Sequence, residues 1–137
     1  MKSQLKTVLI VDDIPFVRKT LKQILGSHGY KVVGEAANGE EAVHLYRELK
    51  PDVVTMDLVM PTLNGVEATK RIMKFDPAAN IVILSSMMQE NLITEAILAG
   101  AKDYIVKPFQ TEEVLKVMQA ACEDIRISEL KMVSGAS

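Results

Sequence analysis

Five short apolar runs, each followed by an amphipathic stretch, constrain this 137-residue chain more than anything else in its sequence. The runs are Thr7–Val11 (TVLIV), Tyr30–Ala36 (YKVVGEA), Val53–Met56 (VVTM), Ile81–Leu84 (IVIL) and Asp103–Val106 (DYIV). Each is too short for a helix and rich in β-branched residues, which is the pattern of a buried strand. Between the runs, apolar residues recur every three or four positions, as on a helix with one face in a core. Pro15 suits the first turn of such a helix, Leu21, Ile24 and Leu25 continue it, and Gly26 and Gly29 are stop signals. A second helix is predicted over roughly 40–49, after Asn38-Gly39 and before Lys50-Pro51. A third follows the turn signal Asn64-Gly65, with Val66, Ala68, Thr69, Ile72 and Met73 inward. A fourth, about 91–99, ends at Gly100 as an expected left-handed cap. Thr111 is expected to cap the last helix, whose apolar stripe runs Val114, Val117, Met118, Ala121, Cys122, Ile125. Five β-then-α units imply an α/β fold, a five-stranded parallel sheet with helices on both faces. The length suits one domain.

In such a sheet the C-terminal ends of the strands gather at one edge, where ligands bind. Asp12 and Asp13 end the first run, Asp57 the third, Ser85 and Ser86 the fourth, and Lys107 the fifth. Carboxylates about 4 Å apart repel by roughly 4 kcal/mol per pair at an effective dielectric of 20. They must protonate, separate or take up a cation. Oxygen-only ligands at an open site suit Mg²⁺, which keeps several waters and shares a phosphate oxygen. A carboxylate beside Mg²⁺ can act as a nucleophile toward phosphorus. Ser85 can donate to a phosphoryl oxygen, and Lys107 can offer a point charge. Each residue also has a plain structural reading: Asp57 could cap its loop, Asp13 the first helix and Ser85 the fourth, and Lys107 could be a solvated amine. Acids, hydroxyls and an amine on four strand tips of one sheet favour a site.

Other function classes find little support. A net charge of −2 gives no case for nucleic acid or an anionic membrane surface. No apolar run approaches the roughly 20 residues that span a bilayer. A single cysteine, Cys122, gives no disulfide framework, fits a reducing compartment and falls on a helical apolar stripe as a packed thiol. A cytoplasmic protein is expected.

Five motifs together carry a family likeness. They are LIVDD (Leu9–Asp13), TMDLVMP (Thr55–Pro61), Asn64-Gly65, ILSS (Ile83–Ser86) and AGAKDYIVKPF (Ala99–Phe109). The chain resembles a response-regulator receiver domain over a core of about 7–127, with 128–137 left as a helix end and frayed tail. The resemblance implies a flavodoxin-like doubly wound (βα)5 fold with strand order 2-1-3-4-5. It implies Asp57 as phosphoacceptor, and Asp12, Asp13, Asp57 and the Val59 main-chain carbonyl as Mg²⁺ ligands. It further implies Ser85 and Lys107 as phosphoryl contacts, Ser85 and Tyr104 as switch residues, and a cis peptide before Pro108. The stretch Met87–Gln110 is similar to stand-alone chemotaxis response regulators of Gram-positive and archaeal type.

Such a protein is a phosphorylation-activated switch of a two-component system, not an enzyme with a separate substrate. Its implied partners are a sensor histidine kinase, an output target such as a flagellar switch or adaptor protein, and a phosphatase. It would bind its target as a monomer, through the face of the fourth helix, fifth strand and fifth helix. A phosphorelay intermediate, or an isolated receiver of a larger transcriptional regulator, would share these motifs. By the same resemblance Val59 and Met87 flank the path of the hydrolytic water, and neither can hold a water. Two unrelated classes fit less well. A haloacid-dehalogenase-like phosphatase needs an acid two residues after its nucleophile, where this chain has Val59. In a flavodoxin-like flavin site the first loop meets a phosphate, which Asp12 and Asp13 would repel.

Overall fold

The computed structural model describes residues 5–123. Expectations for Ile125 and for 128–137 lie outside the described residues. Five strands and five helices alternate: β1 Lys6–Val11, α1 Pro15–Gly26, β2 Tyr30–Ala36, α2 Gly39–Leu49, β3 Val53–Asp57, α3 Gly65–Phe75, β4 Ile81–Ser86, α4 Glu90–Ala99, β5 Asp103–Lys107 and α5 Thr111–Cys122. All strand pairs are parallel, and the order across the sheet is β2-β1-β3-β4-β5. Among the described residues, no helix is long and apolar enough to cross a membrane.

Side chains alternate across each strand, so one sheet supports two cores. Leu9, Val11, Val54, Met56, Ile81 and Ile83 face α2, α3 and α4. Val8, Ile10, Val53, Val82, Leu84 and Ile105 face α1 and α5. All twelve are at most 1% exposed, which makes the sheet a rigid platform for whatever its ends carry. Cys122 packs against the second core, as its place on the helical stripe implied.

Local chemistry differs from the sequence expectations at several ends. β4 and β5 extend past their apolar runs to include Ser85, Ser86 and Lys107. The backbone ladder continues there because Ser85 pairs with Val106 and Ser86 with Lys107, whatever the polarity of the side chains. Thr111 is not the cap of α5; it is the first helical residue, and Gln110 occupies the cap position without a side-chain bond. α1 ends at Gly26 on Ser27 in ordinary right-handed geometry, and Gly29 takes the positive φ of +91°. Gly100 closes α4 at φ +124°, a conformation other residues avoid.

Both Asn-Gly pairs begin helices. Asn38 accepts from the Glu41 amide and Asn64 from the Glu67 amide, each at 2.9 Å. The glycines permit close approach. A Cβ on Gly65 would lie 2.1 Å from the Asp57 carbonyl oxygen, so only glycine lets α3 begin directly beneath the tip of β3. The Gly65 amide also donates to the Leu58 carbonyl at 2.9 Å, closing the loop that follows Asp57.

Candidate functional site

The C-terminal edge of the sheet carries the polar residues. Asp57 is the last residue of β3 and is 5% exposed. Asp12 follows β1 and is fully buried. Its backbone is held on both sides: its amide donates to Ala36 O at 3.0 Å, and Arg18 Nη1 donates to its carbonyl at 2.7 Å. Arg18 is itself steadied by Glu35, 3.1 Å from Nε. Asp12 Oδ1 accepts from the Ile14 amide at 2.9 Å, so Asp12, not Asp13, serves the turn into α1. One carboxylate oxygen from each of Asp12, Asp13 and Asp57 lies within 4.8 Å of the others.

Lys107, at the end of β5, reaches over this cluster. Its Nζ lies 2.9 Å from Asp12 Oδ2 and 3.5 Å from Asp57 Oδ1. Burial would lower the pKa of this ammonium, but the Asp12 bond and both carboxylate charges outweigh it, so the value is raised and Lys107 is cationic at neutral pH. Asp57 moves the other way. Burial pushes its pKa up to about 7, Asp12 and Asp13 add to the rise, and Lys107 opposes it. A carboxylate that holds its proton this strongly beside an ammonium sits in a site short of positive charge. Three clustered acids offering only oxygen fit a hard divalent cation, and are compatible with Mg²⁺. Val59 lies in the loop two residues beyond Asp57 and is half-exposed at the rim, in a shallow groove with Met87 and Gln89.

The other expected residues sit apart from the carboxylates. Ser85 is buried one residue beyond Leu84, the β4 partner of Asp57. Its hydroxyl donates to Gln89 Oε1, which also accepts from the Ser86 amide at 3.0 Å. Tyr104 is 44% exposed on β5. It lines an apolar groove with Met87, Ile93, Ile97, Leu98 and Val106, and Leu98 is 82% exposed there. The peptide between Lys107 and Pro108 is cis. The structure therefore brings Asp12, Asp13, Asp57 and Lys107 into one cluster, with Ser85 turned toward α4 and Tyr104 facing out. The sequence reading missed Arg18 and Gln89. Arg18 acts through its reach to a main-chain carbonyl, which no motif encodes. Gln89 had one weak signal, a polar residue four positions after Ser85 at a helix start.

The response regulator receiver domain family matches residues 8–119. The chain is 57% identical over 113 residues to a chemotaxis protein CheY of Thermotoga maritima, covering 82% of this chain and 94% of that one. It is 49% identical to a chemotaxis protein CheY of Bacillus subtilis, covering 81% of this chain and 92% of that one. A solved complex of CheX with CheY, BeF3 and Mg2+ from Borrelia burgdorferi contains a chain of similar fold. The TM-score is 0.80 and the identity 40%, over 84% of this chain and 88% of that one.

Proposed function

We propose that this chain, which belongs to the response regulator receiver domain family, is a signalling switch that accepts a phosphoryl group on Asp57 from a histidine kinase. The observation that carries this reading is the cluster of Asp12, Asp13 and Asp57 with Lys107 laid across two of them. Asp57 is the nucleophile. One of its oxygens forms the new bond to phosphorus as the donor's bond to phosphorus breaks, and that electron pair stays with the donor. Asp12, Asp13, Asp57 and the Val59 carbonyl would hold Mg²⁺, which when bound supplies counter-charge to the phosphoryl oxygens. Lys107 adds a further positive charge, already drawn to Asp57. Ser85 donates to a phosphoryl oxygen, and Tyr104 follows the resulting shift at the end of β4.

The output surface is the face of α4, β5 and α5. Its apolar groove beside Tyr104 suits a partner's apolar side chains. The phosphoryl group adds about −1.5 to −2 charge, and a partner is selective only if it binds one state better. Relatives that are chemotaxis proteins favour a chemotaxis role, and the reading is of one receiver domain that binds its target as a monomer. The test is intact-mass spectrometry after acetyl phosphate and Mg²⁺. One labile phosphoryl group is expected, and uptake that survives Asp57→Asn or EDTA contradicts the reading.

A further inference from the structure

We infer that Gln89 is a positioning residue that withholds the Ser85 hydroxyl from the phosphoryl site until a phosphoryl group competes for it. The inference rests on the roles of Asp57 and Ser85 proposed above and adds a residue to them. Two donors converge on one side-chain atom of Gln89. The Ser86 amide lies 3.0 Å from it, and a backbone N–H can only donate, so that atom is the oxygen and not the nitrogen. The Ser85 hydroxyl faces the same oxygen. It has one proton, which is held between that oxygen, the nearer acceptor, and the Ser86 carbonyl 3.3 Å away. In this state Ser85 has no proton left for a phosphoryl oxygen. It is fully buried, so water does not offer it an alternative partner.

The same residue ties the site to the output groove. Gln89 is the cap position of α4, and its amide donates to the Ser86 carbonyl at 3.2 Å. Side chain and backbone thus close a loop between the end of β4 and the start of α4. No side chain caps the first turn of α4; Ala96 is its one buried residue, and Leu92 and Ile93 pack partly buried against the core. When Ser85 turns to a phosphoryl oxygen, one of the bonds joining α4 to β4 is lost. The hydroxyl's proton goes either to the turn, where Gln89 and the Ser86 carbonyl accept it, or to the phosphoryl group, and that competition sets the balance between two states of the α4 face.

The test titrates beryllofluoride with Mg²⁺ into the full chain and follows binding by NMR. Gln89→Leu removes the nearer competing acceptor, keeps the Ser86 carbonyl and leaves the Ser86 amide to water. A neutral hydrogen bond of ordinary net strength corresponds to about three- to tenfold tighter apparent binding. Gln89→Glu keeps an acceptor and strengthens it with charge, so it should bind beryllofluoride more weakly than the wild type. In a Ser85→Ala background both effects should vanish, because the contested proton is gone. A general loosening of α4 would persist in that background and would not reverse between Leu and Glu. If the wild-type chain fails to bind beryllofluoride, the assignment of Asp57 fails first and this inference with it. If it binds, and Gln89→Leu is no tighter or keeps its gain without the Ser85 hydroxyl, the role of Gln89 is overturned. Should Gln89→Leu not fold, the Gln89→Glu arm carries the same decision: unchanged or tighter binding refutes it.

Discussion

Replacing Asp57 by asparagine should stabilise the metal-free protein at alkaline pH, although it removes the residue at the centre of the site. The raised pKa of Asp57 means that the folded chain holds this proton more tightly than the unfolded chain does. The benefit is complete below the ordinary value of 3.8 and is lost as pH rises through about 7. At 1.36 kcal/mol per pH unit, the penalty on the ionised folded state above pH 7 is at most about 4 kcal/mol. Asparagine carries no charge for Asp12 and Asp13 to repel. Asp57→Asn should therefore match the wild type near pH 4 and exceed it increasingly from there to pH 8. At about 3–4 °C per kcal/mol for a chain of this length, the gap in Tm at pH 8 is of order 10 °C. Urea unfolding in EDTA at pH 4, 6 and 8 measures the free-energy gap and thermal unfolding the gap in Tm, and the difference between the two proteins cancels groups common to both. Adding Mg²⁺ should narrow the gap, because the cation stabilises the form it binds. A gap that does not grow with pH, or an asparagine variant less stable at pH 8, refutes the electrostatic account of the cluster.

Three further outcomes follow from particular contacts. Lys107→Met should tighten Mg²⁺ binding about tenfold, since it removes an ammonium that competes for Asp12 and Asp57 and repels a divalent ion by about 1–2 kcal/mol even when screened by water; calorimetric titration reads it. Asn64→Ala removes the cap on the Glu67 amide and should cost about 1 kcal/mol, a fall in Tm of about 3 °C, by calorimetric scan. Val59→Asn and Met87→Glu put a water-holding group at the rim, and each should speed decay of the phosphorylated protein about tenfold, short of the 10²–10⁴ of a fully placed general base; unchanged or slower decay would show that Val59 and Met87 do not set the lifetime.

Much of this fold was legible because its signals are local and repeat. Val53–Asp57 reads as a strand from four residues and a terminal acid, and the structure places β3 there with no shift. The acidic edge was legible too, because parallel strands put all their C-terminal ends on one side, where Asp12 and Asp13 follow β1 and Asp57 ends β3. What escaped was contact chemistry between elements. The bond from Arg18 to the Asp12 carbonyl depends on how α1 crosses β1. The bond from Ser85 to Gln89 depends on the turn between β4 and α4, and glutamine has no positional signature that predicts it. The Asn-Gly pairs were read as turns and proved to be helix caps with a close approach behind them, visible only once Leu63 and Asp57 are seen against Gly39 and Gly65. Thr111 looked like a cap by residue type, but α5 begins one position too early for it to serve.

The central claim is that one particular carboxylate of the three carries the phosphoryl group. Borohydride reduces an aspartyl phosphate to homoserine and leaves free carboxylates untouched. The chain should be treated with acetyl phosphate and Mg²⁺, reduced, digested and sequenced by mass spectrometry. Homoserine is expected at position 57 alone, with none when Mg²⁺ is withheld. Conversion at Asp12 or Asp13, or conversion that persists in EDTA, would contradict it.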